Sequence, residues 1–309
     1  MRHEKSGLKE QIAAVLTASF NITPKEMTFL PIGEESTSFK VTSGNTTYIV
    51  KWSEDTKQTQ NMYLVHHLLQ ELSHFPFIVA PVQTPSGQTI IEMEEGYISV
   101  FPFIEGNVVD MPNEKFSKDV VKEITEIVIQ IHNASSSLKT ELPKETFNTT
   151  FETVFMNLLA ESEKNKKTTY APIVLHNKEK IQKLIDENMR HNEYYKQYKP
   201  HFVLTHGDIT GLNFIQSKKG LVLIDWDDSI FAPKERDLPF LVCNKHFNLD
   251  YFIEKTGGTK YEKDLNDYYS LHWSLNSIVL GLQDLATQDV GEKDIQEKVR
   301  EIHEYLGYY

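Results

Sequence analysis

The sequence predicts an α+β fold in two lobes, a small antiparallel β-sheet lobe followed by a larger, mostly helical lobe. Short segments rich in β-branched and aromatic residues dominate the first hundred residues, whereas apolar residues recur at spacings of three and four from about residue 114 onward. The composition changes at Glu105-Gly106, with no long Gly-, Ser- or Pro-rich linker. We therefore expect a nucleotide-binding lobe at 1–103 and a catalytic lobe at 104–309, packed closely around a cleft.

The first lobe is expected to begin with a helix over residues 7–19, where apolar side chains recur at helical spacing. A second helix is predicted over about 57–73, between strands. Ser43-Gly44-Asn45 has the composition of a tight hairpin turn. The predicted strands are 29–31, 38–41, 48–51, 88–93 and 97–103.

The second lobe is predicted to be helical apart from one stretch. Two short apolar runs in that stretch, 202–204 and 221–224, each lead directly into a cluster of His, Asp and Asn residues. These clusters therefore follow strands, in a lobe otherwise made of helices. The predicted helices are 114–134, 149–163, 177–197, 262–286 and 292–306.

The composition restricts the class of partner. The chain of 309 residues has 32 Lys and Arg against 44 Asp and Glu, a formal net charge of −12. Binding nucleic acid needs a basic surface, so we expect no nucleic-acid partner; the surplus of carboxylates suits a cationic one, although many cytoplasmic proteins are acidic for solubility alone. No run approaches the ~18 apolar residues of a membrane span and the chain starts without a signal-peptide pattern, so we expect a cytoplasmic protein without membrane contact. The single cysteine, Cys243, lies among apolar residues and is expected to be buried.

The strongest chemical signal is Asp208 with Asn213 five residues on, and Asp225 after the second apolar run. Phosphoryl transfer uses such a set: one carboxylate accepts the hydroxyl proton, while an amide oxygen and a second carboxylate hold Mg²⁺ on the nucleotide phosphates. Asp227 and Asp228 add to the cluster, and a bound divalent cation would relieve the repulsion among these carboxylates. Either motif alone could be a solvated acidic turn, but together they predict a phosphotransferase.

A cation for the nucleotide phosphates is expected at Lys51, which ends the strand 48–51. The preceding loop offers backbone N–H groups and the hydroxyls of Ser36, Thr37 and Ser38. The loop has one glycine and no G-x-G-x-x-G pattern, so by itself it is a weak indication, and Lys51 alone could be an ordinary strand-end lysine. Their position in the β lobe, ahead of the Asp motifs, favours the nucleotide role.

These residues resemble the aminoglycoside phosphotransferase and choline kinase-like family, whose members share the two-lobed fold of protein kinases. His206-Gly207-Asp208 with Asn213, and Asp225-Trp226-Asp227, match its two signature segments, and the order of elements fits nearly the whole chain. The resemblance implies that Asp208 is the catalytic base and that Asn213 and Asp225 bind Mg²⁺. It also implies that Lys51 contacts the phosphates of ATP.

The resemblance further implies a hinge between the lobes at 97–106. There the carbonyl of Pro102 and the N–H of Ile104 would bind adenine, and a proline is acceptable because only its carbonyl is needed. The motifs do not distinguish ATP from GTP. They also leave the oligomeric state open.

Within this family, the segments 224–228 and 232–238 look most like those of spectinomycin phosphotransferases. Family likeness gives Asp237 a scaffold role, accepting backbone N–H groups of the catalytic loop, and local ion pairs are expected among its neighbours 234–236. Three acidic residues could contact the substrate or could equally form a solvated loop. A tryptophan of the 262–286 helix could stack on the substrate, although aromatic residues at that spacing usually belong to the core. These candidates are Asp227, Asp228, Glu235 and Trp273.

The expected substrate is a small, cationic, amine-bearing molecule, with an aminocyclitol or aminoglycoside antibiotic as the leading candidate, which would make the protein a resistance kinase. A metabolic kinase of the same fold, acting on choline, homoserine or methylthioribose, is an alternative, because substrate choice depends on the shape of the helical lobe. A catalytically silent binding protein is a third. The complete set of signature residues counts against this last possibility.

One position departs from the kinase pattern. Kinase-like folds normally pair the strand lysine with a Glu on the following helix, whereas residues 57–70 contain no acidic residue. Glu54, Asp55 or Glu71 could reach Lys51, or Lys51 is held in another way.

Overall fold

A five-stranded antiparallel sheet forms the first part of the chain in the computed structural model, which describes residues 7–31, 36–54, 59–109, 116–287 and 292–308. The strand order is β1-β2-β3-β5-β4. One helix precedes the sheet and a second lies between its third and fourth strands. The elements are α1 (Leu8–Phe20), β1 (Glu26–Leu30), β2 (Thr37–Ser43), β3 (Thr46–Ser53), α2 (Thr59–Glu71), β4 (Ile90–Glu92) and β5 (Tyr97–Pro102).

The β2–β3 hairpin closes at Gly44, whose φ of 60° lies in the left-handed region that glycine adopts without strain. Alternation along the two strands directs Phe39, Val41 and Val50 to one face, where each is completely buried. Helix α1 covers that face through Leu16 and its apolar neighbours. The sheet therefore has one face closed by α1.

The second part is mainly helical. Its two small sheets have the strand orders β10-β7 and β6-β8-β9. The two-lobed α+β class predicted from the sequence is confirmed. The elements are β6 (Gly106–Val108), α3 (Lys118–Ala134), α4 (Phe151–Lys164), α5 (Ala171–Tyr198), β7 (Phe202–Thr205), β8 (Phe214–Ser217), β9 (Gly220–Leu223), β10 (Ile230–Pro233), α6 (Pro239–Val242), α7 (Leu249–Lys255), α8 (Lys263–Leu275), α9 (Gly281–Thr287) and α10 (Glu292–Gly307).

Several boundaries differ from the prediction for local reasons. Helix α3 begins at Lys118 because the Ser117 side chain accepts a hydrogen bond from the N–H of Val120 and caps the helix; residues 114 and 115 lie outside the described part. Helix α5 begins six residues earlier than predicted, with a proline in its first turn. The predicted helix 262–286 is divided by a π-helical turn at Asn276–Leu280.

Helix α2 connects the two parts. Its apolar residues Leu68 and Leu69 belong to the same buried core as Leu223 of β9 and Val128 of α3. The large sheet ends at Pro102, and β6 already pairs with β8 of the helical part, so the chain crosses between the parts at residues 103–105. Among the described residues, no helix combines the length and apolar content needed to cross a bilayer.

Candidate active site

The side chain of His206 holds the loop that follows β7 through two hydrogen bonds. Its Nε2 lies 3.0 Å from the carbonyl oxygen of Ile224, and its Nδ1 accepts a hydrogen bond from the N–H of Asp208 at 3.2 Å. Because Nδ1 is the acceptor, the ring proton is on Nε2 and is donated to Ile224. The ring also packs edge-on against Trp226, with centroids 5.0 Å apart. His206 therefore joins the segment that carries Asp208 to the segment that carries Asp225.

Asp208 and Asn213 lie side by side in this loop. The amide Nδ2 of Asn213 donates to Oδ2 of Asp208 at 2.6 Å and to the backbone oxygen of Asp208 at 3.1 Å. The second carboxylate oxygen, Oδ1, is buried and has no hydrogen-bond partner among the described residues. Burial raises the pKa of Asp208, against the opposing effects of His206 and of the polar side chains of Thr210 and Asn213. Oδ1 is thus an available acceptor for a hydroxyl proton.

Asp225 lies two residues after the end of β9 and has a φ of 65°, an uncommon conformation for a residue other than glycine. Its Oδ1 lies 2.9 Å from Nζ of Lys51. The charge of Lys51 holds the pKa of Asp225, a half-exposed carboxylate, below its usual value. The structure therefore brings the cation of β3 and the carboxylate after β9 together in the cleft.

The donor set in the cleft suits a magnesium ion. Asn213 supplies an amide oxygen and Asp225 a carboxylate, both hard oxygen ligands. The pKa of Asp227 is raised by burial and further by the charges of Asp225 and Asp228, a repulsion that a divalent cation would relieve. Among the described residues, no group of three or more His, Cys, Asp and Glu side chains could hold a metal ion alone.

A cavity of about 290 Å³ lies between the two parts of the protein. Thr37 and Ser38 are both buried, but only Ser38 lines the cavity, since Thr37 lies where β2 pairs with Trp52. Ser36 is half-buried just before that strand. The rest of the loop, 32–35, lies outside the described residues. The predicted site residues that line the cavity are Ser38, Lys51, Pro102, Ile104, Asp225 and Asp227.

The pairing of β5 with β3 directs the carbonyl of Pro102 towards this cavity. The N–H of Phe103 donates to the carbonyl of Thr47 at 3.0 Å, so the backbone N–H of residue 103 points towards β3. In an antiparallel pair the backbone groups of successive residues point to opposite edges, so the carbonyl of Pro102 points away from β3. Ile104 follows in the lining of the same cavity. Both predicted hinge groups therefore border the space that a nucleotide base would need.

Asp237 stabilises the backbone of the loop that carries Asp208. Its carboxylate accepts hydrogen bonds from the backbone N–H groups of His206 at 3.1 Å and Gly207 at 2.7 Å. It also lies 2.9 Å from Nε2 of His132, which the sequence analysis missed. At the end of an amphipathic helix, a histidine gives no sequence signal that distinguishes this contact from ordinary core packing.

Residues 234–236, the neighbours of Asp237 in sequence, were expected to form local ion pairs but contact other groups. Lys234 donates to Thr259 and to the carbonyl of Lys260, and Arg236 donates to Thr205 and to the carbonyl of Asp228, so these cations bind hydroxyl and carbonyl oxygens in place of the expected local ion pairs. Glu235 is buried, and its Oε1 accepts from the N–H of Glu262 just before α8. This carboxylate is therefore part of the scaffold and is not open to an amine.

The other candidate substrate contacts lie in different environments. Asp228 is exposed and Asp227 is half-buried. Trp273 donates its Nε1–H to the hydroxyl of Tyr305 at 2.9 Å and packs edge-on against Phe240, so its polar atom is already engaged inside the helical part. Cys243 is exposed, contrary to the expectation from its apolar neighbours, because it follows the last residue of the short helix α6.

Glu71, one candidate partner of Lys51, is engaged elsewhere. Its two carboxylate oxygens accept from the N–H of Lys139 at 2.9 Å and from the hydroxyl of Thr140 at 2.7 Å. Asp55 lies outside the described residues. One acidic partner of Lys51 is Asp225, from the other side of the cleft.

A β lobe with a cleft lysine, a hinge, and an Asp–Asn–Asp set in the helical lobe define a kinase-like phosphotransferase. The model of the phosphotransferase enzyme family matches residues 26–273, and the chain belongs to this family. A search of curated protein sequences finds no significant match.

Solved structures with the same fold cover nearly the whole chain. A spectinomycin phosphotransferase in complex with ADP and spectinomycin superposes with a TM-score of 0.75 at 21% identity, covering 96% of this chain and 93% of that one. A microcompartment-associated aminopropanol kinase has a TM-score of 0.61 at 12% identity, with 96% and 94% covered. A choline kinase from Cryptosporidium parvum has a TM-score of 0.56 at 13% identity, with 97% and 94% covered. The chain therefore has the kinase-like fold of these enzymes.

Proposed function

We propose that the protein is an ATP- and Mg²⁺-dependent kinase that phosphorylates a hydroxyl group of a small, amine-bearing molecule. The observation that carries this proposal is the buried Oδ1 of Asp208, which has no hydrogen-bond partner among the described residues. It lies beside Asn213, whose carbonyl accepts from the N–H of Ile224, the residue before Asp225 of the Lys51–Asp225 pair. A buried carboxylate oxygen without a donor is costly unless a ligand supplies one. A substrate hydroxyl is the donor that phosphoryl transfer requires.

In the proposed reaction, Asp208 orients the acceptor hydroxyl and takes its proton. A bond forms between the hydroxyl oxygen and the γ-phosphorus of ATP as the bond to the β-phosphate oxygen breaks, which releases ADP. Asn213 and Asp225 would hold Mg²⁺, which would neutralise charge on the phosphates. Lys51 contacts the phosphates, and Pro102 and Ile104 bind the base from the hinge. The nucleotide-binding lobe then corresponds to 1–103 and the catalytic lobe to 104–309.

We infer an amine-bearing substrate from the local charge. Asp228 is exposed next to the catalytic segment, and the whole chain carries a net charge of −12. Such a surface favours a cationic acceptor at moderate salt. The structural neighbour with bound spectinomycin supports an aminocyclitol or aminoglycoside antibiotic as the first candidate. The aminopropanol and choline kinases among the neighbours support a small metabolite as the second.

A coupled ADP-release assay tests the proposal. The purified protein is incubated with Mg²⁺–ATP or Mg²⁺–GTP and with a panel of spectinomycin, aminoglycosides, choline, aminopropanol and homoserine. We expect release of ADP with one class of acceptor, and a loss of about 10²- to 10⁴-fold in kcat for Asp208→Asn with ATP binding retained. Full activity of the Asp208→Asn variant would disprove the assignment of the base. Failure of Mg²⁺–ATP to raise the melting temperature would favour a silent binding protein.

A further inference from the structure

His66 of α2 is a buried polar side chain in the cavity between the two lobes. It is 1% exposed and lines the same cavity of about 290 Å³ as Pro102 and Ile104 of the hinge. Neither of its ring nitrogens has a hydrogen-bond partner among the described residues. A buried polar group without a partner destabilises the folded protein unless a ligand supplies the partner. The α2 side of the cavity therefore offers a hydrogen-bonding group to whatever the cavity binds.

The ring of His66 is neutral and held in an apolar setting. Burial, then the charges of Lys51 and His67, lower its pKa to about 3, so at neutral pH one ring nitrogen carries a proton and the other is an acceptor. Its neighbours on α2 that line the cavity, Val65 and Leu69, are apolar. The ring packs edge-on against Phe101, with centroids 5.5 Å apart. His66 is thus placed directly against the residue that precedes the hinge carbonyl of Pro102.

The order of the hinge groups decides which edge of a purine would lie towards His66. The chain runs from Phe101 through Pro102 to Ile104. If the carbonyl of Pro102 accepts from the 6-amino group of adenine and the N–H of Ile104 donates to N1, the 6-amino end of the base lies towards Phe101. N7, an acceptor, is next to the 6-amino group on the edge away from N1. N7 would therefore lie towards the end of the cavity where Phe101 meets His66.

We propose that His66 is a nucleobase-binding residue whose ring N–H donates a hydrogen bond to N7 of the purine. This inference rests on the proposed nucleotide site at the hinge. The N7 acceptor is common to adenine and guanine, whereas the groups at the 6-position and at N1 differ between them. His66 therefore recognises a purine, and the choice between ATP and GTP depends on Pro102 and Ile104.

Calorimetric titration with ADP and with 7-deaza-ADP, in which a C–H group replaces N7, tests the contact without any acceptor. In the presence of Mg²⁺, the wild type should bind ADP about 3- to 10-fold more tightly than 7-deaza-ADP, the ratio expected for one neutral hydrogen bond. His66→Phe keeps an aromatic ring next to Phe101 and removes the N–H. The Kd values of this variant for the two nucleotides should therefore lie within about 2-fold of each other.

The adjacent histidine provides a matched control. His67 follows on the same helix and is exposed, so His67→Phe introduces the same side chain outside the cavity and should keep the preference of the wild type for ADP. If His66→Phe does not fold, His66→Leu takes its place, with the same expected loss of preference. GDP and 7-deaza-GDP should show the same dependence on His66, because guanine also has N7 as an acceptor.

Equal affinity of the wild type for ADP and 7-deaza-ADP would overturn the inference, and so would a preference for ADP that persists in His66→Phe. A loss of affinity in His66→Phe that is the same for both nucleotides would also overturn it, because the ring would then only pack in the cavity. The ADP-release assay judges the proposed reaction separately. If ADP shows the expected preference but no acceptor is phosphorylated, the proposed reaction fails and the role of His66 stands.

Discussion

Lys51 and Asp225 are 174 residues apart in the chain and meet across the cleft, with Nζ of the lysine 2.9 Å from Oδ1 of the aspartate. The lysine belongs to the sheet and the aspartate to the loop after β9, so the contact joins the two lobes at the site. It also places a cation next to a carboxylate whose backbone adopts a left-handed conformation. The arrangement of the cleft therefore depends on both lobes.

Replacement of Lys51 by methionine should weaken nucleotide binding. Hydrogen bonds to charged groups contribute on the order of 1.5–3 kcal/mol, so we expect KM for ATP to rise by about 10- to 100-fold. Steady-state kinetics at varied ATP checks this. Lys263→Met, at an exposed lysine on α8, is the control. An equal KM for ATP in the two variants would remove Lys51 from the nucleotide site.

Replacement of Asp228 by asparagine should weaken binding of a cationic acceptor only. Because Asp228 is exposed, its interaction with an ammonium group is screened and small, so we expect KM for the acceptor to rise about 2- to 5-fold at low salt and KM for ATP to stay constant. The measurement is the acceptor KM at two ionic strengths. Glu254→Gln, at an exposed carboxylate on α7, is the control. The same KM for the acceptor at both salt concentrations in wild type and variant would contradict the role of Asp228.

His66 should reduce the stability of the protein in acid. Burial, then the charges of Lys51 and His67, lower the pKa of His66 to about 3. Between that value and its ordinary pKa of about 6.5, the unfolded chain binds a proton that the folded protein does not, so the free energy of unfolding decreases as the pH falls, by up to about 1.4 kcal/mol per pH unit from this group.

The variant His66→Leu removes this contribution. Urea unfolding between pH 4 and 7, spanning roughly the window above, should show a shallower pH dependence than the wild type. His74→Leu, at an exposed histidine shortly after α2, should leave the pH profile unchanged. An identical slope for His66→Leu and the wild type would show that the histidine does not remain neutral in the folded protein.

Two neighbouring residues of α4 test the apolar core that this helix forms with α5 and α8, to which Ile181 and Leu275 also belong. Phe155 is completely buried in that core, whereas Met156 is 51% exposed. Phe155→Ala leaves a cavity and should lower the free energy of unfolding by about 3–5 kcal/mol. Met156→Ala should change it by less than about 0.5 kcal/mol. Urea denaturation of both variants measures the difference, and similar values for the two would mean that α4 packs differently.

The fold class and the order of elements were predictable because long amphipathic helices and alternating strands have strong periodic patterns. Strands β6, β8 and β10 were missed, since three or four residues are too few to show a period. The division of the 262–286 helix was missed as well. Its apolar spacing continues through the π-helical turn, and only packing against α4 and α10 reveals the interruption.

Burial was the main property of the site that local pattern could not predict. Glu235 was a candidate for binding an amine, yet it is buried and its carboxylate accepts a hydrogen bond from the N–H of Glu262. Cys243 was expected in the core and is exposed. In both cases the residue type and its neighbours in sequence are compatible with either environment, because the environment is set by elements far away in the chain.

The sequence by itself determined the chemistry of this protein, since the types and spacing of Asp208, Asn213 and Asp225 after apolar strands already indicate phosphoryl transfer. The tertiary structure alone decided how these groups are held. The partners of Lys51 and of Asp237 come from segments more than a hundred residues away. Such contacts depend on how helices and sheets pack in three dimensions, and the local periodicity of a sequence carries no record of that packing.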